Sequence, residues 1–380
     1  MAEQYRGPSL LALVGDMTGP TIWRALFPIT ALEKAGYACG WDRVQNDAIG
    51  SIAPHFDGYM ISRVSWPESA RQQAEAWFTS VRRAGKFVVY DTDDDVFGQA
   101  ETHRRVELNW QEGKTFEQLE AERLSRIWTV QQCDGVTVTT QRLATIVRQY
   151  TDKPVIVVPN SIDLPWFRSV LAKTERTVPG LTIGWAGGRR HDRDVEPMAE
   201  AWGRIARYSG DGIQFVVQGW VPPIILEHVP ADRLTILPWM RPESYPAGLK
   251  QMDIGCAPLA DTPFNRAKSP IKAMEYAAAG AAVVASPLLY SSLVEDGVSG
   301  LICETVGDWT QALGRLINSH AERQIMARRL LRAVEKQHAL SVNLWRWPAA
   351  WAEIQQEARA SRFLFGIPGV RPQMTGIMRG

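Results

Sequence analysis

The chain has almost no net charge. Its 42 Lys and Arg stand against 41 Asp and Glu, giving +1 at pH 7, so nothing draws the whole molecule toward nucleic acid, although a local basic face remains compatible with that balance. Cysteine is scarce: the four residues Cys39, Cys133, Cys256 and Cys303 lie far apart, with no CxxC pair and no zinc-like spacing. Reduced, partly buried thiols are the expectation. No apolar run reaches the roughly 18 residues of a membrane-spanning helix. Residues 1–16 carry no long apolar stretch of the signal-peptide kind, so a cytoplasmic location is expected. The sequence holds no G-x-G-x-x-G, Walker loop, G-x-S-x-G or H-E-x-x-H. The familiar signatures of dinucleotide enzymes, P-loop enzymes, serine hydrolases and zinc proteases are therefore missing. Internal repeats and low-complexity tracts are missing too.

What is present is a globular composition, 45% apolar and 22% charged over 380 residues. That length suits two domains of similar size. Short apolar runs near residues 10–14, 59–61, 87–90, 135–139, 154–158, 181–185, 213–217, 234–237, 253–257 and 282–285 read as strands. Helical periodicity fills most of the gaps, as at 21–35, 70–84, 116–128, 141–149, 194–208, 306–317 and 321–334. Such alternation specifies an open α/β sheet. We divide the chain into domains at 1–170 and 180–340, with a polar linker around Pro165, Lys173–Arg176 and Pro179. A helix within 341–365 is expected to pack back on the first domain, and 366–380, rich in Gly, Pro and Arg, to form a flexible tail. The 15 tryptophans suit packing positions with one edge exposed, some of them lining a cleft.

Ligands of open α/β sheets bind at the C-terminal ends of strands, so the strand-end loops hold the candidate residues. The most informative stretch is FNRAKSPIKAMEYAAAG, residues 264–280. Ser269 stands before Pro270, an arrangement that predicts a serine N-cap and a helix starting at the proline, and Gly280 closes that helix. Lys268, Ser269 and Lys272 then gather at a positive helix end, a place for phosphate groups. Glu275, about two turns in, can accept hydrogen bonds from sugar or ribose hydroxyls; an ordinary capped surface helix would carry the same residues. After the strand at 181–185, Gly187 and Gly188 allow close backbone approach, and Arg189 or Arg190 can hold a diphosphate. His191 is either a helix cap or a ligand contact. In the first half, Gly15, Asp16 and Thr18 follow the first strand. Asp91, Asp93, Asp94 and Asp95 follow the strand at 87–90 and can bind a metal, bind a hydroxyl-rich ligand, or cap their own loop.

Three segments, GWAGGRRHDRD at 184–194, DIGCAPLADTPFNRAKSPIKAMEYAAAGAAVVAS at 253–286 and VEDGVSGLIC at 294–303, resemble the donor domain of retaining GT-B glycosyltransferases, near glycosyltransferase family 4 and the glycogen synthase-like group. The resemblance covers most of residues 181–335. It implies a GT-B fold: two Rossmann-like domains facing across a cleft, acceptor side first and donor side second. It implies a hexosyltransferase-like enzyme (EC 2.4) that takes a nucleoside-diphosphate sugar as donor and uses neither cofactor nor metal. By the same resemblance, Gly187 and Gly188 lie against the donor and Arg189 reaches its phosphates. Lys268 or Lys272 neutralises the leaving diphosphate, and Glu275 holds the ribose. Ser286, Pro287 and Leu288 lie near sugar and diphosphate. On the acceptor side stand Gly15, Asp16, Thr18, Asp93 and Asp94.

One departure from the family pattern concerns an acid expected eight positions before Glu275, where this chain has Ala267. Asp261 is the candidate replacement. A histidine of the first domain usually faces the sugar in such enzymes, and His103 or His55 are its counterparts here. The acceptor can be a saccharide, a lipid, a protein side chain or a modified nucleic-acid base, and either a monomer or a homodimer fits. Two other readings stay open: a metal-dependent GT-A transferase using Asp91–Asp95, and a non-catalytic protein that binds sugar nucleotides or glycans.

Overall fold

The computed structural model describes residues 7–44, 55–62, 64–98, 107, 113–210 and 212–364. The short apolar runs pair in parallel into two six-stranded sheets. The first contains β1 (Leu10–Val14), β2 (Cys39–Arg43), β3 (Gly58–Ser62), β4 (Phe87–Thr92), β5 (Gly135–Val138) and β6 (Val155–Val157), in the order β2-β1-β3-β4-β5-β6. The second contains β7 (Leu181–Gly187), β8 (Ile213–Gly219), β9 (Leu234–Leu237), β10 (Ile254–Ala257), β11 (Ala282–Ala285) and β12 (Leu301–Ile302), in the order β12-β11-β10-β7-β8-β9. Strands β3, β4, β5, β10 and β11 are buried along their whole length. Helices cover both faces, so these strands read as continuous apolar runs rather than as alternation.

In each sheet the chain reverses its direction of travel beside one strand pair, β1/β3 in the first and β7/β10 in the second. The loops that leave such a pair splay apart and open a crevice at the carboxyl ends. The two crevices face each other. The architecture is thus two Rossmann-like domains across a cleft, as expected.

Three features depart from the sequence reading. Strand β2 was not anticipated: CGWDR is mostly exposed, as an edge strand can be, and lacks the apolar run that betrays the others. The linker expected at 165–180 begins instead as a helix, Leu164–Lys173, because Leu164 and Phe167 enter the core beneath the second sheet. The third departure is a π-helical turn, Ile22–Leu26, inside the helical run between Gly19 and Lys34. The Phe27 N–H reaches back to the Ile22 carbonyl. Pro28 follows and has no N–H to give; a widened turn accommodates that loss.

The last helix, Arg346–Leu364, lies on the first sheet. Trp347, Trp351, Ile354 and Ala358 share a core with Leu10, Ala12 and Val89. Gly135 makes room for it, since a Cβ there would stand 2.5 Å from the Ile354 side chain. Among the described residues, no helix is long and apolar enough to cross a membrane.

Candidate active site

A cavity of about 510 Å³ lies between the two crevices. The second domain supplies most of its wall. Gly187 ends β7 and Gly188, Arg189 and His191 follow it, Gln218 and Gly219 end β8, and Lys268, Ser269, Lys272 and Glu275 surround the start of the helix Ile271–Ala279. The first domain adds Thr18, Trp23, Asp93, Asp94 and Asn160. The glycines have steric reasons. A Cβ on Gly187 would sit 2.3 Å from the Trp185 ring, and one on Gly219, at φ 98°, would sit 2.6 Å from the Gly187 carbonyl. A side chain on Gly219 would push the two strand ends apart, and one on Gly187 would displace the Trp185 ring of its own strand. Gly188 and Gly219 also lie against Trp239, which stays 69% exposed at the rim.

Lys272 is half-buried and donates to the Ala186 carbonyl near the end of β7. Burial, helped by the charge of Lys268, holds its pKa below the ordinary value. Lys268 crosses the cleft to Asp94 (3.6 Å) and lies 4.8 Å from the centre of the Phe264 ring. Glu275 is buried. It accepts from the Tyr245 hydroxyl at 2.9 Å and shares the cavity wall with Trp23 of the first domain. Burial pushes its carboxyl up to about 6, against the opposing pull of Lys272, Tyr245 and Trp23. The desolvated Lys272 ammonium, the Lys268 side chain and the raised Glu275 carboxyl face one space. Sites that must bind an incoming anion have this character.

His191 is oriented by Asp194, with Nδ1 2.7 Å from Oδ2. Burial, with Lys268 and Lys272 nearby, pushes the imidazole down to about 4. Asp194 in turn receives the Ala260 N–H (3.1 Å) and the Asn265 amide (2.8 Å), which ties the β7 loop to the β10 loop.

Several expectations need correction. Ser269 is not an N-cap. The helix starts at Ile271, Pro270 has ψ 33°, and no side chain caps it. Instead Ser269 accepts from the Asn160 amide of the first domain at 2.8 Å. Asp261 does not replace the missing acid; it is exposed on the surface in an ion pair with Arg266 (2.5 Å). Ala267 shows why no acid stands at its own position. It is fully buried against the first-domain core, and its carbonyl accepts from Thr140 at 2.8 Å. Ser286, Pro287 and Leu288 are not part of the cavity wall, which holds Tyr290 instead. Ser286 accepts from the Leu259 N–H and so joins two strand-end loops. Just beyond, Leu289 has φ 66°, a strained value for a residue with a side chain.

On the acceptor side, Thr18 faces the cavity, whereas Gly15 and Asp16 do not. Asp16 accepts from the Thr18 N–H and from the hydroxyls of Thr18 and Thr21, so it organises the helix start. His55 is exposed near the start of β3, at the end of the sheet away from the cavity. His103 and the Arg190 side chain lie outside the described residues.

The acidic cluster is split. Asp91 is fully buried in a two-point pair with Arg24 (2.7 and 3.2 Å) and accepts from Thr137. Asp95 accepts the N–H groups of Phe97 and Gly98 in its own loop. Only Asp93 and Asp94 reach the cavity. Among the described residues no three His, Cys, Asp or Glu gather in a metal-binding group, and the two-domain fold is not that of a GT-A enzyme.

The sequence reading placed Trp23 and Trp239 only among the tryptophans of which some line a cleft, and it did not single out Asn160, Tyr245 or Gln218. Asn160 sits in Pro-Asn-Ser after β6, a strand-end loop like those that were read, and was the one most open to being found. Tyr245 and Trp23 come from separate elements that only the tertiary fold brings to Glu275.

Comparison with known proteins fits this geometry. Residues 180–319 match the family model of the glycosyl transferases group 1. No curated protein matches the chain by sequence. Sucrose-phosphate synthase from Thermosynechococcus elongatus shares the fold at TM-score 0.60 and 14% identity, over 94% of this chain and 99% of that one. HepE from Anabaena, solved in complex with UDP and glucose, does so at 0.62 and 13%, over 91% and 100%. A glycosyltransferase from Rickettsia africae does so at 0.61 and 10%, over 92% and 99%. The chain therefore has the GT-B fold, and its second domain carries the glycosyl transferases group 1 pattern.

Proposed function

We infer that the protein moves a sugar from a nucleoside-diphosphate sugar to an acceptor hydroxyl, with retention at the anomeric carbon, in the manner of glycosyltransferase family 4. One observation carries the reading: Lys268, Lys272 and Arg189 line one cavity with Glu275, between two sheets' carboxyl ends. In this reading the diphosphate lies between the lysines and the start of the helix Ile271–Ala279, where the helix dipole adds to their charge. Breaking the bond between the anomeric carbon and the phosphate oxygen puts negative charge on the departing diphosphate. Preorganised cations there lower the barrier. The acceptor oxygen bonds the anomeric carbon on the face the diphosphate leaves, and its proton passes to a phosphate oxygen. Glu275 accepts from the ribose hydroxyls, and Asp93, Asp94 and Thr18 hold the acceptor. Structures of the same fold were solved with UDP and a sugar, the Anabaena protein among them, which supports a nucleotide donor. Buried, unpaired Cys39, Cys133, Cys256 and Cys303 support a reducing compartment such as the cytoplasm.

The test is a hydrolysis and transfer screen over UDP-, GDP-, ADP- and CDP-sugars, with and without chelator. The expected result is consumption of one donor class at a rate the chelator leaves unchanged. Failure to bind or consume any of them would overturn the proposal. Ala267, in place of the family's acid, favours a second reading: a protein that binds the donor without using it. Tight donor binding with neither transfer nor hydrolysis would select that reading.

A further inference from the structure

The family's first acid is Ala267 in this chain, buried against the first domain, and Asp261 faces solvent. The cavity nevertheless holds a well-made hydrogen-bond acceptor. Asp194 takes three hydrogen bonds, from the Ala260 N–H, the Asn265 amide and His191 Nδ1. These bonds and the neighbouring charges keep its carboxyl below the usual range despite burial. An ionised carboxylate only accepts, so the shared proton sits on His191 Nδ1 and the lone pair sits on Nε2. The imidazole stays neutral, because burial and the ammonium groups of Lys268 and Lys272 oppose its protonation. Nδ1 has its partner; among the described residues no hydrogen bond occupies Nε2, and the residue lines the cavity.

A lone pair there is the wrong group for a diphosphate, which only accepts. It suits a hydroxyl, which donates. The loop tied to the dyad through Ala260 and Asn265 is the same one that runs on to Ala267, where the family's acid would have stood. Resting on the donor reading above, we propose that His191, oriented by Asp194, accepts a hydrogen bond through Nε2 from a hydroxyl of the transferred sugar and so helps determine which sugar is used. The residue thereby fills the role that the acid has elsewhere.

The test compares the nucleotide sugar selected by the donor screen, its parent nucleoside diphosphate and monodeoxy forms of that sugar, by calorimetry without acceptor. His191→Ala weakens binding of the nucleotide sugar by about tenfold, the scale of one buried hydrogen bond, and leaves the nucleoside diphosphate unchanged. One deoxy sugar binds wild type and variant equally, because the missing hydroxyl is the one His191 reads. In wild-type protein, where folding of the variant is not at issue, the Nε2 nitrogen resonance shifts on adding the nucleotide sugar and not on adding the diphosphate alone. Equal losses for both ligands, no loss, or an Nε2 shift completed by the diphosphate would overturn the assignment while leaving the donor reading intact. Wild-type protein that binds no nucleotide would overturn the donor reading itself, and this assignment with it.

Discussion

The two sheets treat the charges at their strand ends in opposite ways. In the first domain, the acid directly at the end of β4 is used for structure: Asp91 is locked to Arg24 and Thr137 with no exposed surface. Arg24 also holds the Val158 carbonyl (2.6 Å) and Asn160, and stacks on Trp347 of the last helix. In the second domain, Lys268, Lys272 and Glu275 are turned to the cavity, and desolvation shifts the protonation of Lys272 and Glu275. One charge cluster is sealed inside the fold and the other opens on the cavity. They meet at Asn160, which accepts from Arg24 and donates to Ser269.

Separate losses should follow when each cluster is altered. Asp91→Ala leaves the Arg24 charge buried and unpaired, and should cost about 3–5 kcal/mol of unfolding free energy, measured by denaturant titration. Lys272→Ala should lower transfer by about 100-fold or more, with the denaturation midpoint little changed; a collapse of the fold instead would erase the contrast between the clusters. Glu275→Gln should weaken donor binding by about tenfold.

The pH dependence sharpens this last prediction. The Glu275 carboxyl titrates near 6 in the fold against an ordinary 4.5. Its protonated form therefore favours folding, a contribution present below the unfolded value and lost as pH rises through about 6. Donor binding runs the other way. Wild-type affinity should fall as pH drops through about 6 and the carboxylate loses its second acceptor oxygen, while Glu275→Gln should flatten that profile. The His191 imidazole, at about 4, does not contribute in this window. The smallest effect is expected at Asp261→Ala, which should leave transfer rates unchanged because its partner Arg266 shares the open surface.

The fold was legible because interior strands buried on both faces leave continuous apolar runs, and glycine at φ 84° after Ala279 marks a helix end without ambiguity. Strand β2 and the helix Leu164–Lys173 left weaker traces. An edge strand need not be apolar, and that helix announces itself through only a few core residues. At the site, Lys268, Lys272, Arg189 and Glu275 were readable from spacing and family pattern and do converge on one cavity. Asp261 misled because sequence proximity says nothing about direction, and Arg266, five residues on, captures it. Ser269 misled because its hydroxyl had a better partner across the cleft than the helix end offered. The place of Trp23 was beyond reach for a related reason: it comes beside Glu275 only where the two domains face each other.

The measurement that bears most directly on the account is a crystal structure of the protein with the nucleoside diphosphate of its best donor. The account predicts phosphate oxygens within hydrogen-bond distance of the Lys268 and Lys272 ammonium groups and ribose hydroxyls on Glu275. Phosphates bound elsewhere, with both lysines still turned to Asp94 and the Ala186 carbonyl, would contradict it.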